Sequence, residues 1–600
     1  MLSQLPTLDL VILIILLAGL TLASVWAGLR RRNTEDDYFM AGRSLRWWSV
    51  AGSIYGTNVS ANQIIGMLGV GYTIGFAQSH YEVLAILPIL VLAYVFVPIY
   101  RQREVFTLSQ FLGNRYDERS QLAYAVLNIL FILVQLVGFF YIGSRQLMLL
   151  SDGSSLELGY LQGILLIAFV TCLFTVAGGM ESVVIADNFQ TVLMVFTALL
   201  VGILTFAQPE IGGFWNLLDL DRSLPPEAQK MHLYLPPDHP DLPWTGAFTG
   251  LMMLHFFYWT TNQYQVQRVL AAASDRDAKV GVLVAGFLKL TIPFFSVGAG
   301  VAAVYIFRER FGEAAVKSDD AFLRLMQLVV PTGYGLSGLI LAGLISAIFS
   351  TIYSMMNSVT TMLSVDIYQR YLRPKATEKE TITFGRIAIV AMCAVASYLA
   401  WATFDPTSNS NFFLNLSRQT SYLKPGIVVA FFLGILWRKA HPLAAVVTML
   451  AAPLFGLASE WIYDGFLGPI PAVQAVFSEK LNFMHRVFLT GVFCILLQIG
   501  LSLLWTKPGD KLPTLDFNLP LGSMGRWFGI FLLGQAVILT LSQWGDWLPN
   551  VSALVGTFFT FALFWLAYQR SKAKESFWKS DVFLAAILSA VTMWILYYFA

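Results

Sequence analysis

Apolar runs of about 20 residues recur from one end of this 600-residue chain to the other, and that repetition sets the solvent in which it must fold. At about 1.5 Å of rise per residue, each run is long enough as a helix to cross a hydrocarbon core of about 30 Å. In lipid every backbone polar group has to be bonded within the protein, so segments of this length span as α-helices. The composition agrees, with 57% hydrophobic and 12% charged residues and a mean hydropathy of +0.66. That is more apolar surface than a water-soluble globule can hide. The lipid bilayer is therefore an expected partner. A net charge of +2 supplies no concentrated basic face, so nucleic acid is not one. Cys172, Cys393 and Cys494 all lie inside apolar runs and read as small core residues rather than a disulfide or metal framework. The first run, residues 10–29, has no basic segment before it and is followed by Arg30 to Arg32, the pattern of a retained span rather than a cleaved leader.

Spans are expected near residues 8–29, 47–74, 78–99, 119–149, 157–178, 182–207, 244–267, 277–307, 334–366, 383–404, 409–437, 441–463, 483–505, 526–544, 551–569 and 578–599, about sixteen in all. Basic residues in the short connections orient them. Arg30 to Arg32, Arg101 with Arg103, Arg276 with Lys279, Arg373 with Lys375 and Lys379, Arg438 with Lys439, Lys507 with Lys511, and Arg570 with Lys572 and Lys574 all fall on the inner side when the N-terminus is outside. Both termini are then extracellular or periplasmic, on a multi-pass protein of the cell membrane. The opposite connections are acidic or rich in Pro and Gly, most of all residues 208–243 with PPEAQ and PPDHPDLP. The connection from Arg308 to Asp320, mixed in charge, departs from the rule.

The spans are not uniformly apolar. SIYGTNVSANQ (Ser53 to Gln63) interrupts the second, and YWTTNQYQ (Tyr258 to Gln265) interrupts the seventh, five spans later. Polar residues inside spans can simply bond one helix to another. Two interruptions at corresponding places in successive five-helix units point further, to an inverted-repeat secondary transporter with its site near the bilayer midplane. In the ninth span Ala347, Ser350, Thr351 and Ser354 stand at i, i+3, i+4 and i+7 and share one helix face. Hydroxyl and carbonyl oxygens suit a hard cation such as sodium, with free carbonyls of the broken second span opposite. Hydroxyls bonded back to their own helix are the alternative reading.

Glu82, Asp187, Lys289 and Arg418 are ionisable residues within or at the edges of spans, where a charge is costly enough to mark function. Glu82 and Lys289 are placed to meet in one cavity and hydrogen-bond a polyol. Asp187 lies toward the inner end of its span, where solvation or snorkelling is also open to it. Arg418 is either a cavity residue or a partner for Glu460 or Asp405.

Six stretches stand out across about residues 36–440: FMAGRSLRWW (Phe39 to Trp48), FVPIYR (Phe96 to Arg101), TVAGGMESVVIADNFQT (Thr175 to Thr191), NQYQVQR (Asn262 to Arg268), MMNSVTTMLSVDIY (Met355 to Tyr368) and TSYLKP (Thr420 to Pro425). In kind and in order they resemble the sodium/solute symporter family, most of all its sodium/glucose cotransporters. The resemblance implies an all-α polytopic protein of the LeuT type, a five-plus-five inverted repeat. Residues 1–35 would form an extra N-terminal span, 36–210 the first repeat, 211–243 an outer loop, 244–440 the second repeat and 441–600 accessory spans, with 526–569 a peripheral hairpin.

Carried onto this sequence, the resemblance implies a sodium site made by backbone oxygens of Gly56, Val59 and Ala347 with the hydroxyls of Ser350 and Thr351. A second sodium, held in some members, would use Asp187, Ser350 and Ser354, but Tyr353 stands where a small hydroxyl residue is expected, which favours one ion. Asn58, Gln63, Glu82 and Lys289 are implied as polar solute contacts and Tyr258 as an inner aromatic gate, with His255, Trp259, Ser417 and Thr420 completing the set. An aromatic lid suits a pyranose, whose axial C–H groups pack on a ring while its hydroxyls take directional bonds. Ser417, Asn262 and His255 depart from the sugar carriers' pattern, so the class of solute is firmer than its identity. Gln135, at the depth where sialic acid carriers use an arginine, argues against an acidic sugar, while Arg418 keeps one open.

The expected function is sodium-coupled import of a small polar solute, a monosaccharide or related polyol, by alternating access. Sodium is the only ion called for, and no obligate protein partner is evident. Each sodium moving inward contributes about 2.3 kcal/mol per 100 mV, enough at one-to-one coupling for roughly forty-fold accumulation. A different solute such as sialic acid, inositol or an amino acid, a proton in place of sodium, and a sensor or channel on the same scaffold are the alternatives. Paired carboxylates, a His cluster or an activated Ser are not found, so an enzyme is not expected.

Overall fold

The computed structural model describes residues 5–28, 34–60, 62–151, 157–312, 316–405, 411–507, 510–514, 521–571 and 575–600. Arg30 to Arg32, Lys572 and Lys574, used above to orient the spans, lie outside them. The described residues are helices and connections, with no strand beyond the isolated bridges Leu45–Ala272 and Leu235–Pro243. The helical runs are α1 (Thr7–Gly28), α2 (Trp47–Asn58), α3 (Met67–Thr73), α4 (Phe76–Arg101), α5 (Glu118–Ser151), α6 (Tyr160–Phe206), α7 (residues 244–261), α8 (Gln263–Leu270) and α9 (Asp275–Phe311). They continue with α10 (Leu336–Leu372), α11 (Glu378–Thr403), α12 (Phe412–Leu436), α13 (Pro442–Leu467), α14 (Phe483–Trp505), α15 (Leu521–Trp544), α16 (Pro549–Arg570) and α17 (Asp581–Tyr598).

Twelve described helices, rather than sixteen, are long and apolar enough to cross a membrane. The other expected spans take different forms. Residues 47–74 and 244–267 are helix pairs around a break, α2 with α3 and α7 with α8, and Thr7–Leu22 and Tyr160–Leu173 are shorter apolar stretches. The fifth and sixth expected spans are one continuous helical run, the 47 residues of α6. Straight, that run would be about 70 Å long. Its two ends are tied together over a much shorter path. At the start, the Ser144 hydroxyl donates to the Tyr160 carbonyl and the neighbouring Arg145 binds Asp320 at 3.1 Å. At the end, Arg310 binds Gln208 and Glu210 at 2.7 and 2.8 Å and donates to the Leu328 carbonyl, one short helix beyond Asp320. The run therefore doubles back on itself.

Both chain ends lie at one face. Asp9, fully buried near the start of α1, accepts from the backbone N–H groups of Gly333, Ser337 and Gly338 at 2.7 to 3.3 Å, capping the otherwise unpaired amides that open α10. At the other terminus the Leu233 N–H donates to the Phe599 carbonyl at 2.8 Å and the Tyr234 hydroxyl to that of Leu596 at 3.0 Å, which joins α17 to the 208–243 connection. A Cβ on Gly286 of α9 would meet the Leu588 side chain of α17 at 2.8 Å, so this last helix packs closely on the central bundle. Peripheral placement fits α15, where Ile538 alone is buried.

Candidate functional site

The polar break in the second span is a break in the helix. α2 stops at Asn58, Val59 leaves helical geometry at φ −82°, ψ 86°, and one wide π-type turn, Asn62–Gly66, leads into α3. Carbonyls at the end of α2 are thereby freed from i+4 partners. The hydroxyl stripe of α10 meets them: Ser350 donates to the Gly56 carbonyl at 2.9 Å and Thr351 to that of Thr57 at 3.3 Å. The stripe thus bonds across to another helix. α6 closes the cluster from the third side, with Asp187 accepting from Ser53 and Ser350 at 2.6 Å and from Thr57 and Ser354 at 3.4 Å. Thr57 and Ser354 are 2.9 Å apart. Every donor atom in this cluster is a hard oxygen, the ligand type a sodium ion takes.

The close approach of α6 depends on glycine at 56. A Cβ there would lie 2.8 Å from Thr191 Oγ1 and 2.9 Å from the Asp187 carbonyl oxygen, and the second of these is backbone that cannot turn aside. Gly56→Val is expected to abolish transport and to lower the protein's thermal midpoint by several degrees, read by uptake and by unfolding in detergent. Overpacking of this kind costs typically about 1–3 kcal/mol.

Asp187 does not reach solvent, contrary to one expectation for it. It is fully buried and paired with Arg268 of α8, itself fully buried, at 3.5 Å, while Arg268 Nε donates to Ser53 at 3.1 Å and Nη1 to the Tyr264 carbonyl. The sequence reading missed this arginine as a functional residue. Its signal was the last letter of NQYQVQR, a cation beside a helix break with no carboxylate near it in sequence. Tyr353 stacks on Phe349 of its own helix at 5.8 Å between ring centres.

The second break mirrors the first. α7 ends in a π-type turn, Phe257–Thr261, and Asn262 is extended at φ −96°, ψ 122° before α8 begins. Here the freed carbonyls are occupied by tyrosines, Tyr100 donating to Thr260 and Tyr124 to Thr261, both at 2.8 Å.

Between the two breaks lies a cavity of about 110 Å³. One water needs about 10–15 Å³ on the same scale, so the space takes several waters or one small solute. Of the residues expected at the solute, Asn58, Gln63, His255, Tyr258, Trp259, Lys289, Ser417 and Thr420 line it. Glu82 stands behind the wall, buried, and binds Lys289 at 2.5 Å. Lys289 also donates to Asn58 Oδ1 at 3.2 Å, and Asn58 in turn donates to the Tyr258 hydroxyl at 3.1 Å, so one hydrogen-bonded chain joins both breaks. Trp259 lies 5.8 Å beneath the Lys289 ammonium. Thr57 and Thr351 of the oxygen cluster face the same cavity.

Arg418 is not a cavity residue and pairs with neither Glu460 nor Asp405. It is half exposed and faces Asp241 at 3.8 Å, while Glu460 is held by Arg486 and by the Tyr422 hydroxyl. Tyr81, Phe139, Phe413 and Lys424 also line the cavity and were not singled out from the sequence. For Lys424 the signal was present: an ionisable residue inside a span, in TSYLKP, read there only as part of a signature.

Comparison with known proteins agrees with this architecture. Residues 38–452 match the Sodium:solute symporter family, well over half the chain. The chain belongs to that family. It is 30% identical to a sodium/glucose cotransporter of Vibrio parahaemolyticus over 75% of this chain and 84% of that protein. It is 31% identical to a sodium/mannose cotransporter of Bos taurus over 78% and 81% respectively, and 30% identical to human sodium/myo-inositol cotransporter 2 over 84% and 77%. A solved Na+-coupled sialic acid symporter, substrate-bound and outward-open, superposes with a TM-score of 0.70 at 21% identity, covering 84% of this chain and 98% of that one. The fold is accordingly the LeuT-type repeat of this symporter family, the coupling ion is sodium, and the protein is a multi-pass membrane symporter.

Proposed function

We propose that this symporter imports a monosaccharide or closely related polyol with one sodium ion per cycle, the ion bound by the carbonyls of Gly56, Val59 and Ala347 and the hydroxyls of Ser350 and Thr351. The solute occupies the cavity between the breaks, against Asn58, Gln63, His255, Tyr258, Trp259, Lys289, Ser417 and Thr420, with Glu82 holding Lys289 in place. The observation that carries this reading is the adjacency of the two sites. The Thr57 carbonyl and the Thr351 hydroxyl belong to the oxygen cluster, and the next residue, Asn58, belongs to the hydrogen-bonded chain along the cavity wall. Ordering the end of α2 around sodium therefore orders the solute contacts, and the two bindings favour each other reciprocally. The sugar assignment is supported by aromatic faces beside directional polar groups and by the sugar and inositol carriers among the relatives.

One sodium is supported over two because Arg268 already places a positive charge on Asp187, and a second cation there meets repulsion. Tyr258, hydrogen-bonded to Asn58 and edge-on to Tyr264 at 5.9 Å, acts as the inner gate. Residues 36–210 and 244–440 act as the two repeats. Both termini face the outside, in keeping with the shared face of the chain ends and the basic residues of the opposite connections.

Purified protein in proteoliposomes is expected to accumulate labelled hexose or inositol when an inward sodium gradient is applied, and to lose accumulation when choline replaces sodium. Uptake that persists without sodium and follows a proton gradient would overturn the coupling assignment.

A further inference from the structure

The cavity holds a basic group that the transport of a neutral sugar does not use. Lys289 is neutralised by Glu82 at 2.5 Å and Arg268 is paired with Asp187. Lys424 lines the same cavity, is 92% buried, and among the described residues has no carboxylate within ion-pair distance. Its ammonium sits 5.4 Å from the ring centre of Phe131 and 5.8 Å from that of Phe257, so its own surroundings supply ring faces and no counter-charge. His255, a third basic side chain on the wall beside Lys289 and Lys424, adds no negative charge. An ammonium buried without a counter-charge is costly, and an anionic ligand in the cavity offsets that cost. Gln135 on the same wall is uncharged, and Arg418 is turned away toward Asp241, so neither substitutes for it.

We propose that Lys424 is an anion-recognition residue and that the solute is an acidic monosaccharide, its carboxylate bound by Lys424 and its hydroxyls by Asn58, Gln63 and Lys289. This rests on the reading of the cavity as the sodium-coupled solute site. The bound carboxylate completes the charge balance of the cavity, and the ring faces of Phe131 and Phe257 hold the ammonium in position before the solute arrives. A neutral hexose of the same shape leaves the lysine unpaired and binds more weakly.

The test is sodium-driven uptake of labelled glucuronate and glucose by the full chain in proteoliposomes, with wild type, Lys424→Gln and Lys424→Arg. Wild type is expected to prefer glucuronate over glucose by at least about tenfold, the scale of one charge-assisted hydrogen bond. Lys424→Gln is expected to lower that preference ratio about 10- to 100-fold, and Lys424→Arg to retain most of it. Quenching of tryptophan fluorescence by glucuronate in sodium, measured on the same variants, reads binding apart from turnover and is expected to follow the same order. Sodium-driven glucose uptake with glucuronate excluded, or a preference ratio that Lys424→Gln leaves unchanged, overturns the acidic-solute inference and leaves the transport reading standing. Absence of sodium-driven uptake of either sugar overturns both.

Discussion

Ser350→Ala combined with Thr351→Ala is expected to raise the sodium concentration for half-maximal transport by about tenfold or more, with maximal uptake reduced. Two of the oxygens assigned to the ion leave together, and a hydrogen bond to a charged group is worth about 1.5–3 kcal/mol. The Ser350 hydroxyl has a second task, donating to Asp187 at 2.6 Å as well as to the Gly56 carbonyl, so its loss also strips a donor from a buried carboxylate. Among the described residues the Thr351 hydroxyl reaches the Thr57 carbonyl alone, at 3.3 Å. Ser350→Ala alone should therefore have the larger effect and should also lower thermal stability, whereas Thr351→Ala should act on sodium affinity with little change in stability. Sodium titration of uptake and unfolding of the same preparations separate the two. Unchanged sodium affinity in the double variant would sink the site assignment.

The second large effect is expected from Lys289→Ala. Removing the ammonium leaves Glu82, fully buried, without the partner it binds at 2.5 Å, and breaking a buried pair from one side costs about 3–5 kcal/mol. It also removes the donor to Asn58, which loosens the chain of bonds to Tyr258. Solute binding should fall by two orders of magnitude or more, and stability with it. Adding Glu82→Gln to Lys289→Ala should recover much of the stability, because the uncompensated charge is gone, while solute binding stays lost. A double variant that regained solute binding would show that Lys289 serves the fold alone.

These outcomes depend on features of unequal visibility in the sequence. The breaks at residues 53–63 and 258–265 were legible because glycine, hydroxyl and amide side chains displace leucine where a lipid-facing helix has no use for them. The stripe of Ala347, Ser350, Thr351 and Ser354 was legible because helical periodicity fixes which residues share a face, whatever that face meets. What it meets was not. On spacing alone its hydroxyls were as free to bond their own helix as to cross to Gly56 and Thr57. Arg418 shows the same limit from the other side. The sequence left it three settings, the cavity, Glu460 or Asp405, and the structure puts it beside Asp241, which was not among them.

By itself, then, the sequence determined the solvent, the helical class, the positions of the two breaks, the polar face of α10 and the family. Those depend on side-chain chemistry and on periods of a few residues, which are local and survive in one dimension. Only the tertiary structure decided how the charges are matched. Asp187 and Arg268 are 81 residues apart, Glu82 and Lys289 are 207 apart, and Lys424 has no carboxylate within ion-pair distance among the described residues. Likewise α6 reads as two spans along the chain, yet it is one helical run folded back on itself. A buried charge is stable only through what lies within a few ångströms of it, and nearness in space is unconstrained by separation in sequence.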